Sequence, residues 1–212
     1  YSIQVKPIGA TTSPTPSQIS RVIFGADVNA IRMLGGINTD RLYGGGGADL
    51  LTGGKGSDYL EGGAGLDVYN FAAGDGNDTL LDTDGKGLLR YRYTDASGGA
   101  VSTIVADASV KLSDTSWRSA DAKFTYTQTP NATGGNDLVV TIAGDAASRL
   151  TLKDFRDGDF GIQRGLGVYR DELLARRGIE FRVRMGLNSG AVVVGKIGDN
   201  LRMDYTAVGD TT

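Results

Sequence analysis

Between residues 35 and 70 the chain repeats itself every nine residues, reading GGINTDRLY, GGGGADLLT, GGKGSDYLE and GGAGLDVYN. Glycine doublets begin at Gly35, Gly44, Gly53 and Gly62, and aspartates fall at Asp40, Asp49, Asp58 and Asp67. The slot two residues further on holds Leu42, Leu51, Leu60 and Tyr69. A fixed period of this kind constrains architecture more strongly than any local propensity. Glycine does not recur at every third position, so the segment is not collagen-like. Nor is it a flexible glycine linker, because aspartate and leucine are as periodic as glycine.

One unit is simple to read. Gly-Gly-x-Gly tolerates positive φ and close backbone approach, so the chain turns tightly and aims its carbonyls inward. The x-Leu-x that follows suits a very short strand with one apolar side chain facing a shared core. A nonad is then one turn plus one strand, and two nonads complete a coil. Turns i and i+2 stack, which sets Asp40 above Asp58 and Asp49 above Asp67. Stacked carboxylates repel unless a cation lies between them. With turn carbonyls they make an all-oxygen shell of about six to eight ligands, which Ca2+ accepts and Mg2+ resists.

Composition narrows the chemistry in the same direction. The 212 residues include no Cys and no His. That excludes disulfides, thiolate nucleophiles, imidazole bases and nearly every zinc enzyme, and leaves oxygen as the metal donor. Residues 35–86 carry nine acidic and three basic side chains, a density that calls for neutralisation. A metal-free glycine-rich solenoid is the alternative reading.

The four in-register nonads resemble the RTX family, the haemolysin-type calcium-binding repeats of secreted bacterial toxins, proteases and lipases. The resemblance implies a mainly β fold, a parallel β-roll or β-helix solenoid over residues 21–87. It also implies a set of calcium ligands: Gly35, Asn38, Asp40, Gly44, Gly45, Gly47, Asp49, Gly53, Gly54, Gly56, Asp58, Gly62, Gly63, Gly65 and Asp67. Asn38 and Tyr69 depart from the pattern, which wants Gly and Leu there. Gly74-Asp-Gly-Asn-Asp78 looks like the family's closing turn and adds Asp78 as a ligand. Gly25-Ala-Asp-Val-Asn29 looks like a decayed repeat, with Ala30 near the place of a ligand aspartate. Export by a type I route, unfolded where calcium is scarce and folding outside the cell, follows from the same resemblance.

The flanks differ in character. Residues 1–20 hold Pro7, Pro14 and Pro16 and read as an extended linker, with an edge strand at Ile3–Val5 as the alternative. Residues 88–163 predict alternating strands at Leu88–Tyr93, Ser102–Ala106, Lys123–Gln128, Leu138–Ala143, Arg149–Leu152 and Phe160–Gln163. Turn signals at Ala96–Gly99, Thr133–Asn136 and Arg156–Asp159 separate them. Trp117, Phe124, Tyr126 and Phe155 are candidates for a small aromatic core. DLVVTI, LTLKDF and GDFGI resemble the β-rich segment that follows the repeats in many RTX proteins, which implies a cap on the last coil. Asn131-Ala-Thr133 matches a glycosylation sequon and is read as a surface turn.

Residues 164–212 change again, with eight basic and six acidic side chains. Arg170–Arg177 predicts a short helix, and the alternation through Ile179, Phe181, Val183 and Met185 predicts a strand that pairs with Ala191–Val194 in a hairpin. The words GIEFRVRMGLNSGAVVVGKIGDNLRMDYTAVGD resemble the catalytic domain of class III adenylyl and guanylyl cyclases. The resemblance places Thr206 at the purine-contact position. Its two metal-binding aspartates and purine-contacting Lys would lie on strands this sequence does not contain. Its Asn and transition-state Arg would follow Thr212, which itself replaces the usual Val. Cyclisation needs two metals and a phosphate-holding cation, so no cyclase activity is expected of this chain.

The expectation is thus a calcium-binding module of a secreted bacterial protein without catalysis of its own. The alternative is a fragment of an adenylate cyclase-type enzyme that carries the repeats for localisation or regulation. Expected partners are calcium ions, further domains of a larger secreted protein and, through the 179–195 hairpin, a second copy. A net charge of −3 argues for no nucleic acid, and no apolar run approaches the roughly 20 residues of a membrane span. YSIQVKPIGA lacks the features of a signal peptide and a starting Met, so an excised or processed piece is expected.

Overall fold

A computed structural model describes residues 2–5, 19–26 and 30–162. It is built almost wholly of strands: β1 Ser2–Val5, β2 Ser20–Phe24, β3 Arg32–Gly36, β4 Arg41–Gly46, β5 Leu50–Gly54, β6 Tyr59–Ala64, β7 Val68–Ala72 and β8 Asn77–Leu81. There follow β9 Leu88–Thr94, β10 Ala100–Ile104, β11 Val110–Ser113, β12 Ser116–Arg118, β13 Phe124–Pro130, β14 Asn136–Ile142 and β15 Asp145–Leu152. One short 3-10 turn occupies Asp159–Gly161. Among the described residues no helix is long and apolar enough to cross a membrane.

Successive strands of the repeat alternate between two sheets. One runs β1-β2-β4-β6-β8-β15-β14-β13-β12-β11 and the other β10-β9-β7-β5-β3. From β2 to β8 and from β3 to β9 the neighbours are parallel, and Leu42 pairs with Leu60 as Leu51 does with Tyr69. The offset of 18 residues is the two-nonad coil that the sequence predicts. The next coil is longer: Tyr59 pairs with Thr79 and Val68 with Leu88, an offset of 20.

Because each nonad offers one inward apolar side chain, the roll's interior is two ladders face to face. Leu42, Leu60 and Leu80 line one sheet, and Met33, Leu51, Tyr69 and Leu89 the other, all buried. The ladders run directly into the cap. β15 pairs in parallel with β8, setting Leu152 beside Leu80, and then turns the sheet antiparallel through β14, β13 and β12. Phe71 and Tyr91 pack with tilted rings 5.1 Å apart, and Phe124 meets Tyr91 edge-on at 5.8 Å, so one core crosses the junction.

Several expectations need correction. At the N-terminus the edge strand expected as the alternative at Ile3–Val5 is present, as Ser2–Val5 antiparallel to β2, in place of a linker there. The strand expected at Phe160–Gln163 is not formed over its described part, Phe160–Ile162: Phe160 takes φ 54 within the 3-10 turn and buries its ring against Tyr69 at 5.7 Å. The strands β11 and β12 escape sequence reading because VKLS and SWR are short and mostly polar. Trp117, Phe124, Tyr126 and Phe155 are all buried, as predicted. Asn131 does form a turn: its Oδ1 accepts from the backbone N–H of Thr133 and Gly135, and its Nδ2 donates to Asp137 and Asp154. The helix and hairpin predicted in 164–212, and Thr206 with them, lie outside the described residues.

Candidate metal centre

The turns entering β4, β6 and β8 stack along one side of the roll and align Asp40, Asp58 and Asp78 in a column. Those entering β5 and β7 stack along the other side and set Asp49 over Asp67. All five aspartates are buried, none more than 4 % exposed. The rungs share one bond. The backbone N–H of Asp40 donates to Asp58 Oδ1 at 2.7 Å, that of Asp58 to Asp78 Oδ1 at 3.0 Å, and that of Asp49 to Asp67 Oδ1 at 2.8 Å. The same bond runs from Arg21 N–H to Asp40 Oδ1 at 2.5 Å and from Ile31 N–H to Asp49 Oδ1 at 2.9 Å.

That bond satisfies one oxygen of each carboxylate and fixes its direction. The other is left over. Oδ2 of Asp49, Asp58 and Asp67 is buried and receives no hydrogen bond. A buried acceptor without a donor costs on the order of 1–3 kcal/mol, and more if it is charged. Electrostatics reports the same strain. Burial pushes Asp58 up to about 7, with Asp78, Asp40 and Asp75 adding and the Asp40 N–H opposing. Burial likewise takes Asp78 to about 6 and raises Asp67.

Main-chain oxygens complete the surroundings. Gly65, at φ 129, packs so closely on the turn stacked against it that a Cβ there would collide with the Gly47 carbonyl oxygen. Gly54, at φ 94, presses in the same way on the Gly36 carbonyl. Gly45, Gly47, Gly56 and Gly63 share the left-handed conformation. Gly35, Gly44, Gly53 and Gly62 instead pack against the aspartate carboxylate of their own turn. The first turn differs, since neither Gly36 nor Asn38 adopts a positive φ there. Asn38 Nδ2 donates to the Ile19 carbonyl at 3.3 Å.

Among the described residues no three acidic side chains converge on one point, so carboxylates alone cannot make a cage. Stacked carboxylates with donorless oxygens, among carbonyls of glycine turns, form a hard, anionic, all-oxygen environment. That environment fits Ca2+, which takes many oxygen ligands in flexible geometry. Asp40 stacks on Asp58 and Asp49 on Asp67 as the nine-residue period predicts, and Asp78, expected as a ligand but not assigned a side, joins the first column below Asp58. In the decayed rung the residue level with Asp49 is Ile31, next to Ala30, and its N–H makes the rung's bond. The sequence reading overlooks Asp82, pushed by burial up to about 6, whose Oδ2 accepts from the Tyr69 hydroxyl at 2.9 Å. Tyr at the Leu slot was the available signal.

Comparison with known proteins agrees with this geometry. Residues 34–69 match the RTX calcium-binding nonapeptide repeat in four copies. No curated protein matches the chain. Among solved structures, the AlgE6R3 subunit of the Azotobacter vinelandii mannuronan C5-epimerase aligns at 19% identity over 80% of this chain and 94% of that one. Its TM-score is 0.23, too low to carry an argument. None of these matches supports the cyclase resemblance of residues 164–212. The segment 34–69 is therefore a run of calcium-binding nonapeptide repeats of the RTX type, wound as a parallel β-roll.

Proposed function

We propose that residues 21–162 are a calcium-binding module of a secreted bacterial protein: a roll over residues 21–87 that folds on calcium, capped by the β-rich part that follows, with no catalysis of its own. The observation that carries this reading is the trio of buried, donorless oxygens on Asp49, Asp58 and Asp67. Burying them only makes sense if something positive arrives with folding. Asp40, Asp58, Asp78, Asp49 and Asp67 hold the ions through their carboxylates, and the glycine turns supply carbonyls. Bound calcium removes the repulsion within each column, so its binding energy is folding energy. The cap covers the last coil, whose open edge would otherwise recruit other strands.

RTX repeats are typical of secreted bacterial proteins, which supports an extracellular, calcium-rich setting and export in the unfolded state. Further domains of a larger protein are the partners this module would serve. The test is a calcium titration of the chelated chain followed by far-UV circular dichroism. The expected result is a cooperative gain of β signal that magnesium does not reproduce. A β signal that is full in chelator and unmoved by calcium would overturn the reading.

A further inference from the structure

The two aspartate columns end differently from the way they run. Column one reads Arg21, Asp40, Asp58, Asp78, Leu150 in register, and column two reads Ile31, Asp49, Asp67, Gly87. Every terminal rung therefore lacks a carboxylate of its own.

At the first end, Arg21 sits where an aspartate would continue the column. Its N–H makes the rung's bond to Asp40, and its guanidinium donates to the Gly35 carbonyl at 2.6 Å, beside the Asp40 turn. Asp40 Oδ2 accepts from Gly36 N–H at 2.5 Å, so this carboxylate has both oxygens satisfied, unlike Asp49, Asp58 and Asp67. At the head of column two, Ile31 brings a methyl group to the spot against Gly25 that an aspartate oxygen takes against Gly35, Gly44, Gly53 and Gly62. At the foot of column one, Leu150 is apolar and buried. At the foot of column two, the space beneath Asp67 is filled by a clasp. The Tyr69 hydroxyl accepts from Gly62 N–H at 2.8 Å and donates to Asp82 Oδ2, while Asp82 Oδ1 accepts from Gly85 N–H at 2.8 Å. A Cβ on Gly87 would come within 2.9 Å of Asp82 Oδ2 and 2.8 Å of the Tyr69 ring.

We propose that this roll holds three calcium ions, one in each interior gap (Asp40–Asp58, Asp58–Asp78 and Asp49–Asp67), and that Arg21, Ile31, Leu150 and the Tyr69–Asp82 clasp stop the columns at their four ends. Each interior gap is bordered by at least one donorless oxygen, whereas Asp40 beside Arg21 and Asp82 in the clasp have both carboxylate oxygens engaged. The clasp substitutes a neutral hydroxyl and internal hydrogen bonds for a metal. Arg21 substitutes a fixed cation, which is always charged and needs no ion from solution. The proposal rests on the calcium-binding reading above and adds the number of ions and the residues that limit it.

Counting bound calcium on the full chain, by native mass spectrometry with CaCl2 as the only divalent salt, tests it. The unaltered chain is expected to saturate at three ions, and Asp58→Asn, which borders two gaps, at one. Ile31→Asp reopens the head of column two, and Tyr69→Leu with Gly87→Asp reopens its foot. At least one of these is expected to bind a fourth ion. Saturation of the unaltered chain at any number other than three, or three ions in both reopened variants with calcium-dependent β signal intact, would overturn the proposal. An unaltered chain that binds no calcium would instead overturn the underlying reading.

Discussion

Strands β6 and β14 lie in the same sheet and differ in almost every other respect. β6 runs parallel between β4 and β8 and buries one large apolar side chain, Leu60, before passing into Gly62 and Gly63. β14 runs antiparallel between β13 and β15 and buries Leu138, Val140 and Ile142. At about 1.5–3 kcal/mol for each fully buried side chain, β14 draws several times more from the hydrophobic effect than β6 does. The roll also buries carboxylates, which the cap mostly keeps at its surface. The cap's buried Asp137 has its own cation in Lys153. The difference teaches where each region's stability comes from: the cap carries its counter-charges and its core, while the roll leaves oxygens waiting for an ion.

The largest expected contrast comes from one substitution in each region. Asp58→Asn keeps the shape but removes the charge shared by two gaps, and should raise the calcium needed for half-folding by about tenfold or more. Leu138→Ala should cost about 2–5 kcal/mol in denaturant unfolding, by the same amount with calcium or with chelator. A calcium midpoint that Leu138→Ala moves as far as Asp58→Asn does would erase the distinction.

A smaller contrast is in the response to pH. In the calcium-free roll, Asp58 and Asp78 titrate near 7 and 6 when folded against an ordinary 3.8 when unfolded. The folded state then holds more protons, so the roll's stability is full below about 3.8 and is lost as pH rises through 6 to 7. Burial works against Asp137, yet the bonds from Lys153 and Asn131 hold its carboxyl below the usual range. Its contribution has the opposite sign, present at neutral pH and lost on acidification. Calcium competes with the roll's protons, so the calcium requirement should fall from pH 5 to 7 and level off above. Circular dichroism with and without calcium across this range checks both slopes. A calcium requirement that does not vary between pH 5 and 7 would count against buried carboxylates as ligands.

The roll was legible because its period is its geometry. Nine residues per strand and 18 per coil follow from Gly and Asp spacing alone, and Asp40, Asp58, Asp49 and Asp67 stack as that spacing requires. What the period cannot carry is its own interruption. Two extra residues before Asp78 lengthen the coil there, and the spacing from Gly25 to Ile31 is one residue longer than the Gly-to-Asp spacing of the repeats. The column ends were illegible for a related reason. Arg21 and Asp82 reach their places through the third dimension, and neither sits in a repeat slot. In the cap, alternation marks β13 and β14 well. The 3-10 turn at Phe160 is invisible to it, because the ring is buried by tertiary contact with Tyr69 in spite of a strained backbone.

Hydrogen exchange, read strand by strand with calcium and then with chelator, tests the central claim most directly. The account predicts that β4 to β8 lose protection when calcium is removed while β12 to β14 keep theirs. Protection that stays unchanged in β4 to β8 without calcium would contradict it.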